Sequence, residues 1–234
     1  IIKFKDLIQG EIEFAGEEIS DFIIVKPDGT PTYNFAVVID DHLMGITHVL
    51  RGEEHLRNTP RQILLYQAMG WKAPQFAHIP FILDEDRTRM SQSQGNVSVD
   101  EYRKRGYLPE TVVNFLALLG WSPEGEQEIY SLADLVEHFS LERVFRSAAV
   151  FDEERLKRLN AHYIKKSSAE RILDLALPHL VAAGYVESAT LEEQRPWLLR
   201  VVAAVKDGLT ELEQIGEQVD FFFTPTVKPQ DNKA

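Results

Sequence analysis

The chain has 234 residues, 44% of them hydrophobic and 26% charged, which is the composition of a folded globular protein with one large or two ordinary domains. It has no cysteine and no apolar run near the roughly 20 residues that cross a bilayer, which excludes disulfide scaffolds, thiolate metal sites and membrane helices. With 25 basic against 37 acidic residues, the net charge of -12 argues against binding nucleic acid through overall charge.

Up to about Asp84, short β-favouring runs alternate with turn residues. The runs 23–25 and 32–39 flank the turn Pro27-Asp28-Gly29, and this pattern predicts a β-hairpin. Three further elements are predicted in order: a strand at 46–50, a helix capped by Thr59 that ends at Gly70, and a strand at 79–83. The order strand, helix, strand favours an α/β unit with a parallel sheet.

The later part of the chain is predicted to be helical. The polar segment 87–96 has neither helical nor strand periodicity and predicts a loop. Helix signals follow at Pro109 to Gly120 and after Ser131, Ser167, Thr190 and Gly208. We therefore expect a helical bundle in the C-terminal third, followed by a linker-like tail from Thr224.

A group of potential metal ligands lies at Asp40, Asp41 and His42, with His48 and His55 nearby in sequence. Their spacing matches no HExxH or comparable pattern, and acidic pairs are common beside turns. We therefore predict no metal site and interpret His42 and His48 as polar contacts within the fold.

The run Arg51-Gly52-Glu53-Glu54-His55 follows a predicted strand, where ligand-binding residues collect in α/β proteins. A glycine admits a ligand closely, carboxylates accept from ribose hydroxyls, and a guanidinium binds a carboxylate through two hydrogen bonds. The same five residues also fit a solvated surface turn. Likewise the loop 87–95 suits a phosphate through its hydroxyls, glycine and Arg89, and equally fits an ordinary polar connector.

Taken together, these runs strongly resemble the bacterial glutamyl-tRNA synthetases, which are class I synthetases. The resemblance is collinear and extends from the first residues to Phe221-Phe222-Phe223, so it is more specific than any single motif. It is carried by the runs Asp28 to Phe35, Val38 to His55, Asn58 to Gln62, Phe76 to Pro80, Gly106 to Glu110, Leu118 to Ser122 and Val150 to Asp152.

The resemblance implies that ATP activates L-glutamate to glutamyl-adenylate, which is then transferred to tRNA(Glu) in the cytoplasm. It implies that Tyr33 and Arg51 line the glutamate pocket. The ATP side would comprise Gly52, Glu53, Glu54, His55, Arg89 and Met90, with Glu54 as the expected direct contact. The loop with Arg89, Ser91 and Gln92 corresponds to the KMSKS-type signature and holds the catalytic candidates. Mg²⁺ is expected to accompany ATP without dedicated protein ligands, and a monomer is favoured.

Two departures from the family pattern bear on activity. Gln92 stands where the signature has a second lysine, and Ser93 where relatives have arginine; loss of one such cation costs about 100- to 1000-fold in rate. The family's HIGH-type signature precedes the part at which this chain begins, at Ile1 and without a secretory signal. We therefore expect a fragment that also lacks the last anticodon-binding subdomain and is inactive alone.

Two alternatives remain open. The chain is either part of an active ligase or a non-catalytic tRNA-binding fragment or paralogue, as the changed loop and the missing signature suggest. The other alternative is that the chain belongs to the related enzymes that glutamylate a modified base within tRNA, which resemble the synthetases. Those enzymes lack a helical anticodon domain, so the capped helices between Ser167 and Gln218 count against that class.

The resemblance also implies a division of the α/β chain into segments. These are the end of an inserted acceptor-binding domain at 1–30, the C-terminal half of a Rossmann-like catalytic domain at 31–85, a stem-contact segment with the signature loop at 86–166, and a helical anticodon-binding subdomain with a tail at 167–234. Residues 143–171 contain eight basic and four acidic side chains, a local excess of +4 that suits tRNA. The candidate tRNA contacts are Arg143, Arg146, Arg155, Lys157, Arg158, Lys165 and Lys166.

Overall fold

The computed structural model describes residues 1–90, 98–187 and 190–224. The chain divides into two compact units, of which the first comprises residues 1–89, 118–127 and 137–151 and the second the remainder. Within the described residues the strands are β1 (Ile2–Asp6), β2 (Gly10–Phe14), β3 (His48–Gly52), β4 (Gln75–Ile79), β5 (Ile82–Leu83) and β6 (Ala149–Val150). The α-helices there are α1 (Tyr33–Leu43), α2 (Thr59–Ala68), α3 (Val99–Arg105), α4 (Pro109–Gly120), α5 (Leu132–His138), α6 (Glu153–Lys166), α7 (Ala169–Ala182), α8 (Leu191–Val205) and α9 (Ile215–Phe223).

The first unit is built on a four-stranded sheet in the order β2-β1-β4-β3. Strands β1, β4 and β3 run parallel, and β2 pairs antiparallel with β1 through a tight hairpin. Asp6 stabilises that hairpin, since its Oδ1 accepts from the backbone N–H groups of Ile8 and Gln9 at 3.0 and 2.9 Å. The predicted mixed α/β fold with a parallel sheet is confirmed. Strand β1 shares this sheet, and the assignment of residues 1–30 to an inserted domain stays a prediction.

The predicted hairpin over 23–39 is wrong. Residues 33–43 form the helix α1, and only an isolated bridge joins Val25 to Pro31. The β-branched run at 37–39 favours a strand locally. However, Phe35, Val38 and His42 recur at helical spacing, and Val38 is almost fully buried in a cluster that Phe35 packs against. Tertiary packing on that face therefore overrides the local preference.

Helix α2 packs against α1 and against the short helical turn that follows β3. It begins at Thr59 with Pro60 in its first turn, so its cap is Asn58, one residue before the cap predicted at Thr59. It ends at Ala68, two residues before Gly70. Leu65 and Tyr66 bury its apolar face in the same cluster as Val38. The polar face of α2 is thereby directed toward the ends of β3 and β4, where the candidate site lies.

The second unit is the predicted helical bundle. A continuous apolar core joins α6, α7, α8 and α9; its fully buried members include Ile164, Ile172, Leu173, Leu198, Val202, Ile215 and Val219. Asp152 caps α6, Ser168 rather than Ser167 caps α7, and Thr190 precedes α8 without a side-chain cap bond. The predicted tail after Thr224 lies outside the described residues.

Candidate active site

A network of buried polar side chains surrounds Arg51, near the carboxyl end of β3. Strand pairing places Arg51 opposite His78 of β4, and Arg51 Nε donates to His78 Nε2 at 3.1 Å. From the start of α2, Thr59 Oγ1 and Gln62 Oε1 accept from Arg51 Nη2 at 2.8 and 3.0 Å. Because the guanidinium is planar, acceptors on two of its nitrogens fix the plane as well as the position.

The network extends away from Arg51 in two directions. His78 Nδ1 lies 2.6 Å from Asp6 Oδ2, and both side chains are fully buried. Gln62 Nε2 donates to Asn34 Oδ1 at 3.0 Å, which ties α2 to the first turn of α1. The network therefore joins β1, β3 and β4 to α1 and α2, and each buried polar group in it has a hydrogen-bond partner.

Burial dominates the electrostatics around Arg51. Burial lowers the pKa of Arg51 below its ordinary value, while a hydrogen bond with Tyr33 and the charges of Asp41 and Asp6 act in the opposite direction. Burial likewise raises the pKa of Asp41, which Arg51 partly offsets. Burial opposes ionisation of Asp6, but hydrogen bonds from His78 and three backbone N–H groups outweigh it, and its pKa lies below the ordinary value.

Of the predicted glutamate and ATP residues, Tyr33, Arg51, Gly52, Glu54 and His55 lie next to each other in the first unit. Tyr33 begins α1 with its side chain half exposed, interacts electrostatically with Arg51, and lies with its ring centroid 5.7 Å from that of His55. Glu54 Oε1 is 3.9 Å from His55 Nε2. A Cβ atom at Gly52 would collide with the Glu54 carboxylate, so glycine lets this carboxylate fold back over the strand end. The structure thus brings a guanidinium, a phenol and an exposed carboxylate together; their roles stay predictions.

Glu53 and Arg89 have structural contacts near the strand end. Glu53 Oε1 accepts from the backbone N–H of Phe81 at 3.1 Å, which fixes the short helical turn after β3. The Arg89 guanidinium carbon lies 3.2 Å from the centroid of the Phe81 ring, a cation–π contact. Met90 is partly buried, and the loop candidates Ser91, Gln92 and Ser93 lie outside the described residues.

Three of the candidate tRNA contacts have acidic partners. In the first unit Arg143 pairs with Glu124 at 3.2 Å and Arg146 is exposed beside Gly10. In the second, Arg155 pairs with Glu128 at 3.0 Å and Lys157 with Glu154 at 3.1 Å. Arg158, Lys165 and Lys166 are exposed on α6. Ion pairs thus neutralise part of the excess predicted from sequence.

The histidines of the candidate metal group have other partners. His42 stacks on Trp71 with 3.8 Å between ring centroids, and His48 Nδ1 lies 2.9 Å from Thr47 Oγ1. Across the described ranges no three His, Asp or Glu side chains converge as ligands, and no helix is long and apolar enough to cross a membrane.

Sequence reasoning missed most of the network around Arg51. Asp6, Asn34, Thr59, Gln62 and His78 were not recognised as site residues. One signal was available: β4 reads Phe76-Ala77-His78 with all three residues buried, and a histidine in a fully buried strand needs polar partners. Its partner Asp6 is 72 positions away, so no local pattern identifies the pair.

Comparison with known proteins shows the family of the chain. Residues 1–158 match the family model described as "tRNA synthetases class I (E and Q), catalytic domain". The chain is 51% identical, over its whole length, to a glutamate–tRNA ligase of Desulforamulus reducens, and 53% identical over 95% of its length to that of Carboxydothermus hydrogenoformans. It spans about half of these relatives, 48% and 46%.

Solved structures agree in fold. A glutamate tRNA ligase from Elizabethkingia meningosepticum, crystallised in complex with its amino acid, matches 95% of this chain with a TM-score of 0.82 at 35% identity. Glutamate-tRNA synthetase from Elizabethkingia anophelis matches with a TM-score of 0.83. The chain covers 47% and 48% of those two proteins. With two thirds of its sequence inside the family model, this chain belongs to the class I tRNA synthetases for glutamate and glutamine.

Proposed function

We propose that this chain is part of a glutamate–tRNA ligase, which uses ATP to activate L-glutamate and then transfers it to tRNA(Glu). The observation that carries the proposal is the fixed guanidinium of Arg51 beside Tyr33 and the exposed Glu54, near the carboxyl end of a parallel strand. Ligands of open α/β sheets bind at that end. The names of the relatives support the same substrates, and such an enzyme would act in the cytoplasm.

Arg51 is suited to bind a carboxylate of glutamate. Its hydrogen bonds to His78, Thr59 and Gln62 hold it in place before the substrate arrives. A guanidinium that is pre-positioned and half-buried binds a carboxylate more strongly than a solvated one, because less water and less side-chain entropy are lost on binding. Tyr33 supplies a hydroxyl at the same place.

The ATP side is proposed to lie over Gly52. The glycine lets the Glu54 carboxylate lie over the strand end, where it is positioned to accept from ribose hydroxyls. In the reaction a carboxylate oxygen of glutamate attacks the α-phosphorus, pyrophosphate leaves, and a terminal ribose hydroxyl of tRNA then displaces AMP. Positioning and charge stabilisation accelerate such steps without a side-chain nucleophile.

Mg²⁺ enters this proposal as a partner of ATP. In the part of the chain that the structure describes, no three potential ligands meet, so the nucleotide's phosphates would hold the ion. Arg89 and the loop that follows are proposed to neutralise charge on the phosphates, Arg89 after leaving its contact with Phe81.

The tRNA contact is proposed to include the exposed basic residues of α6. Arg158 and Lys165 are separated by seven positions and therefore share one helical face, with Lys166 next to it. This face would follow the phosphate backbone, which needs charge without base-specific geometry.

The test is glutamate-dependent ATP–pyrophosphate exchange by the full-length protein that carries this chain. Arg51→Lys keeps the charge but loses the fork, so the KM for glutamate should rise about 30- to 100-fold, as for the loss of one charge-assisted hydrogen bond. Arg57→Lys, at an exposed arginine of the same unit, is the matched control. An Arg51→Lys enzyme with the KM of the control would contradict the proposed pocket.

A non-catalytic tRNA-binding protein is the second candidate, and Gln92 with Ser93 favours it. The same exchange assay separates the two functions. Robust exchange by the unmodified protein refutes the non-catalytic candidate. Exchange that appears only in Gln92→Lys supports it, since that variant restores the cation of the signature.

A further inference from the structure

The buried pair Asp6 and His78 lies behind the proposed glutamate-binding arginine. The imidazole stands between the carboxylate and the guanidinium: Nδ1 is 2.6 Å from Asp6 Oδ2 and Nε2 is 3.1 Å from Arg51 Nε. Both side chains of the pair have no exposed surface, whereas Arg51 is only partly buried. The pair therefore contacts the site from behind and does not reach the substrate itself.

The partners on each side fix the tautomer of the imidazole. Arg51 Nε carries a proton that it donates to His78 Nε2, so this nitrogen acts as an acceptor. Thr59 Oγ1 lies 3.1 Å from the same nitrogen, and its hydroxyl can rotate to donate there as well. Asp6 Oδ2 faces Nδ1 at a distance that requires a proton between them, and the ring therefore carries its proton on Nδ1. A doubly protonated ring would direct an N–H group against the Arg51 N–H.

We propose that Asp6 and His78 are positioning residues for substrate binding: Asp6 holds His78 as the neutral Nδ1–H tautomer, and His78 Nε2 then orients the guanidinium of Arg51 toward the substrate carboxylate. This inference rests on the proposed function of Arg51. The charges agree with it, because the Asp6 carboxylate balances the Arg51 guanidinium across a neutral ring.

Asp6→Asn tests the tautomer without changing the shape of the side chain. The asparagine oxygen can keep the bonds from the backbone N–H groups of Ile8 and Gln9, while its NH₂ group replaces the atom that faces His78. That NH₂ group donates to Nδ1 and moves the ring proton to Nε2, against Arg51. The KM for glutamate in pyrophosphate exchange should then rise about 10- to 100-fold, the usual effect of removing such a supporting partner, while the KM for ATP stays within about twofold. Asp21→Asn, at an exposed carboxylate of the same unit, should change neither.

Two replacements of His78 separate positioning from general stabilisation. His78→Gln places an amide oxygen near the position of Nε2, where it accepts from Arg51, and loses the bond to Asp6. His78→Asn keeps an amide near the position of Nδ1 and loses the bond to Arg51. Both remove one buried hydrogen bond, so their thermal midpoints should fall by similar amounts. Only His78→Asn should raise the KM for glutamate about 10-fold or more.

A readout that needs no activity completes the experiment. Nitrogen NMR of histidine-labelled protein should give a protonated Nδ1 for His78 in the unmodified protein and a protonated Nε2 in Asp6→Asn. Absence of glutamate-dependent exchange in the unmodified protein overturns the proposed function and this inference with it. Normal exchange with an unchanged KM in Asp6→Asn, or equal KM values in the two His78 variants, overturns the inference alone.

Discussion

The carboxylate of Glu211 should be the most important charged group for the stability of the helical unit. Its Oε1 accepts from Arg105 Nη2 and from Tyr107 Oη, each at 2.6 Å, and the residue is only 4% exposed. Arg105 also donates to Glu153 at 2.7 Å, but the Glu153 side chain is 39% exposed. The same guanidinium thus has one buried and one solvated partner, which allows a matched comparison.

Glu211→Gln keeps the shape and removes the charge. Losing one member of a buried ion pair costs about 3–5 kcal/mol, and since Arg105 retains Glu153 we expect a value just below that range, about 2–3 kcal/mol. Glu153→Gln removes a solvent-screened partner and should cost about 0–1 kcal/mol. Urea titration followed by the far-ultraviolet circular dichroism of the helices measures both.

The pH dependence gives a second check with a definite sign. Burial opposes ionisation of Glu211, but its bonds from Tyr107 and Arg105 prevail, and its pKa lies below the ordinary value. Its stabilising effect is therefore fully present above the unfolded pKa of about 4.3 and is lost as the pH falls through the folded pKa. The difference in free energy of unfolding between the unmodified protein and Glu211→Gln should therefore become smaller below about pH 4. If Glu211→Gln and Glu153→Gln lose the same free energy of unfolding at neutral pH, the reasoning is refuted.

Three further predictions concern single features. Gly106→Ala should lower the thermal midpoint and reduce the free energy of unfolding by at least about 3 kcal/mol, because φ is +85° and the new Cβ would lie 2.7 Å from the backbone N of Leu212. Gly125→Ala is the control, since Gly125 also has a positive φ but lies in open space. Gly52→Ala should displace the Glu54 carboxylate and raise the KM for ATP about 10-fold with little change in that for glutamate, and equal changes in both KM values would contradict the assignment. Reversing the charges of Arg158 and Lys165 should reduce the slope of the logarithm of the tRNA-binding constant against the logarithm of salt concentration by about 2. Lys104→Glu should leave this slope unchanged.

The helical unit could be predicted from local signals, whereas α1 could not. Capping residues and apolar spacing suffice for α7 and α8, since their sequence signals agree with their packing, whereas no helix was predicted at α6. In α1 the β-branched residues Val37, Val38 and Ile39 favour extended structure, while the burial of Val38 against α2 requires a helix. Where local preference and tertiary packing disagree in this way, a single sequence does not show which prevails.

The candidate site divides in the same manner. Arg51 and Glu54 could be predicted because they follow a strand within a recognisable run of residues. The groups that hold Arg51 come from three separate parts of the chain: Asp6 in β1, His78 in β4, and Thr59 with Gln62 in α2. Only the parallel pairing of β1, β4 and β3 brings them together, and that pairing is a property of the fold.

Two buried networks among the described residues each contain a carboxylate and an arginine but lie in different surroundings, and this difference indicates what each does. Glu211 and Tyr107 are buried among the helices, and each would be a buried polar group without a partner if the hydrogen bond between them were lost. Asp6 and His78 are equally buried, yet their chain of bonds ends at a guanidinium that remains partly accessible. Replacing both partners of a buried hydrogen-bonded polar pair by apolar groups of the same shape is often nearly neutral for stability. The Asp6–His78 pair is therefore better explained by the orientation that it gives Arg51 than by the stability that it adds to the sheet.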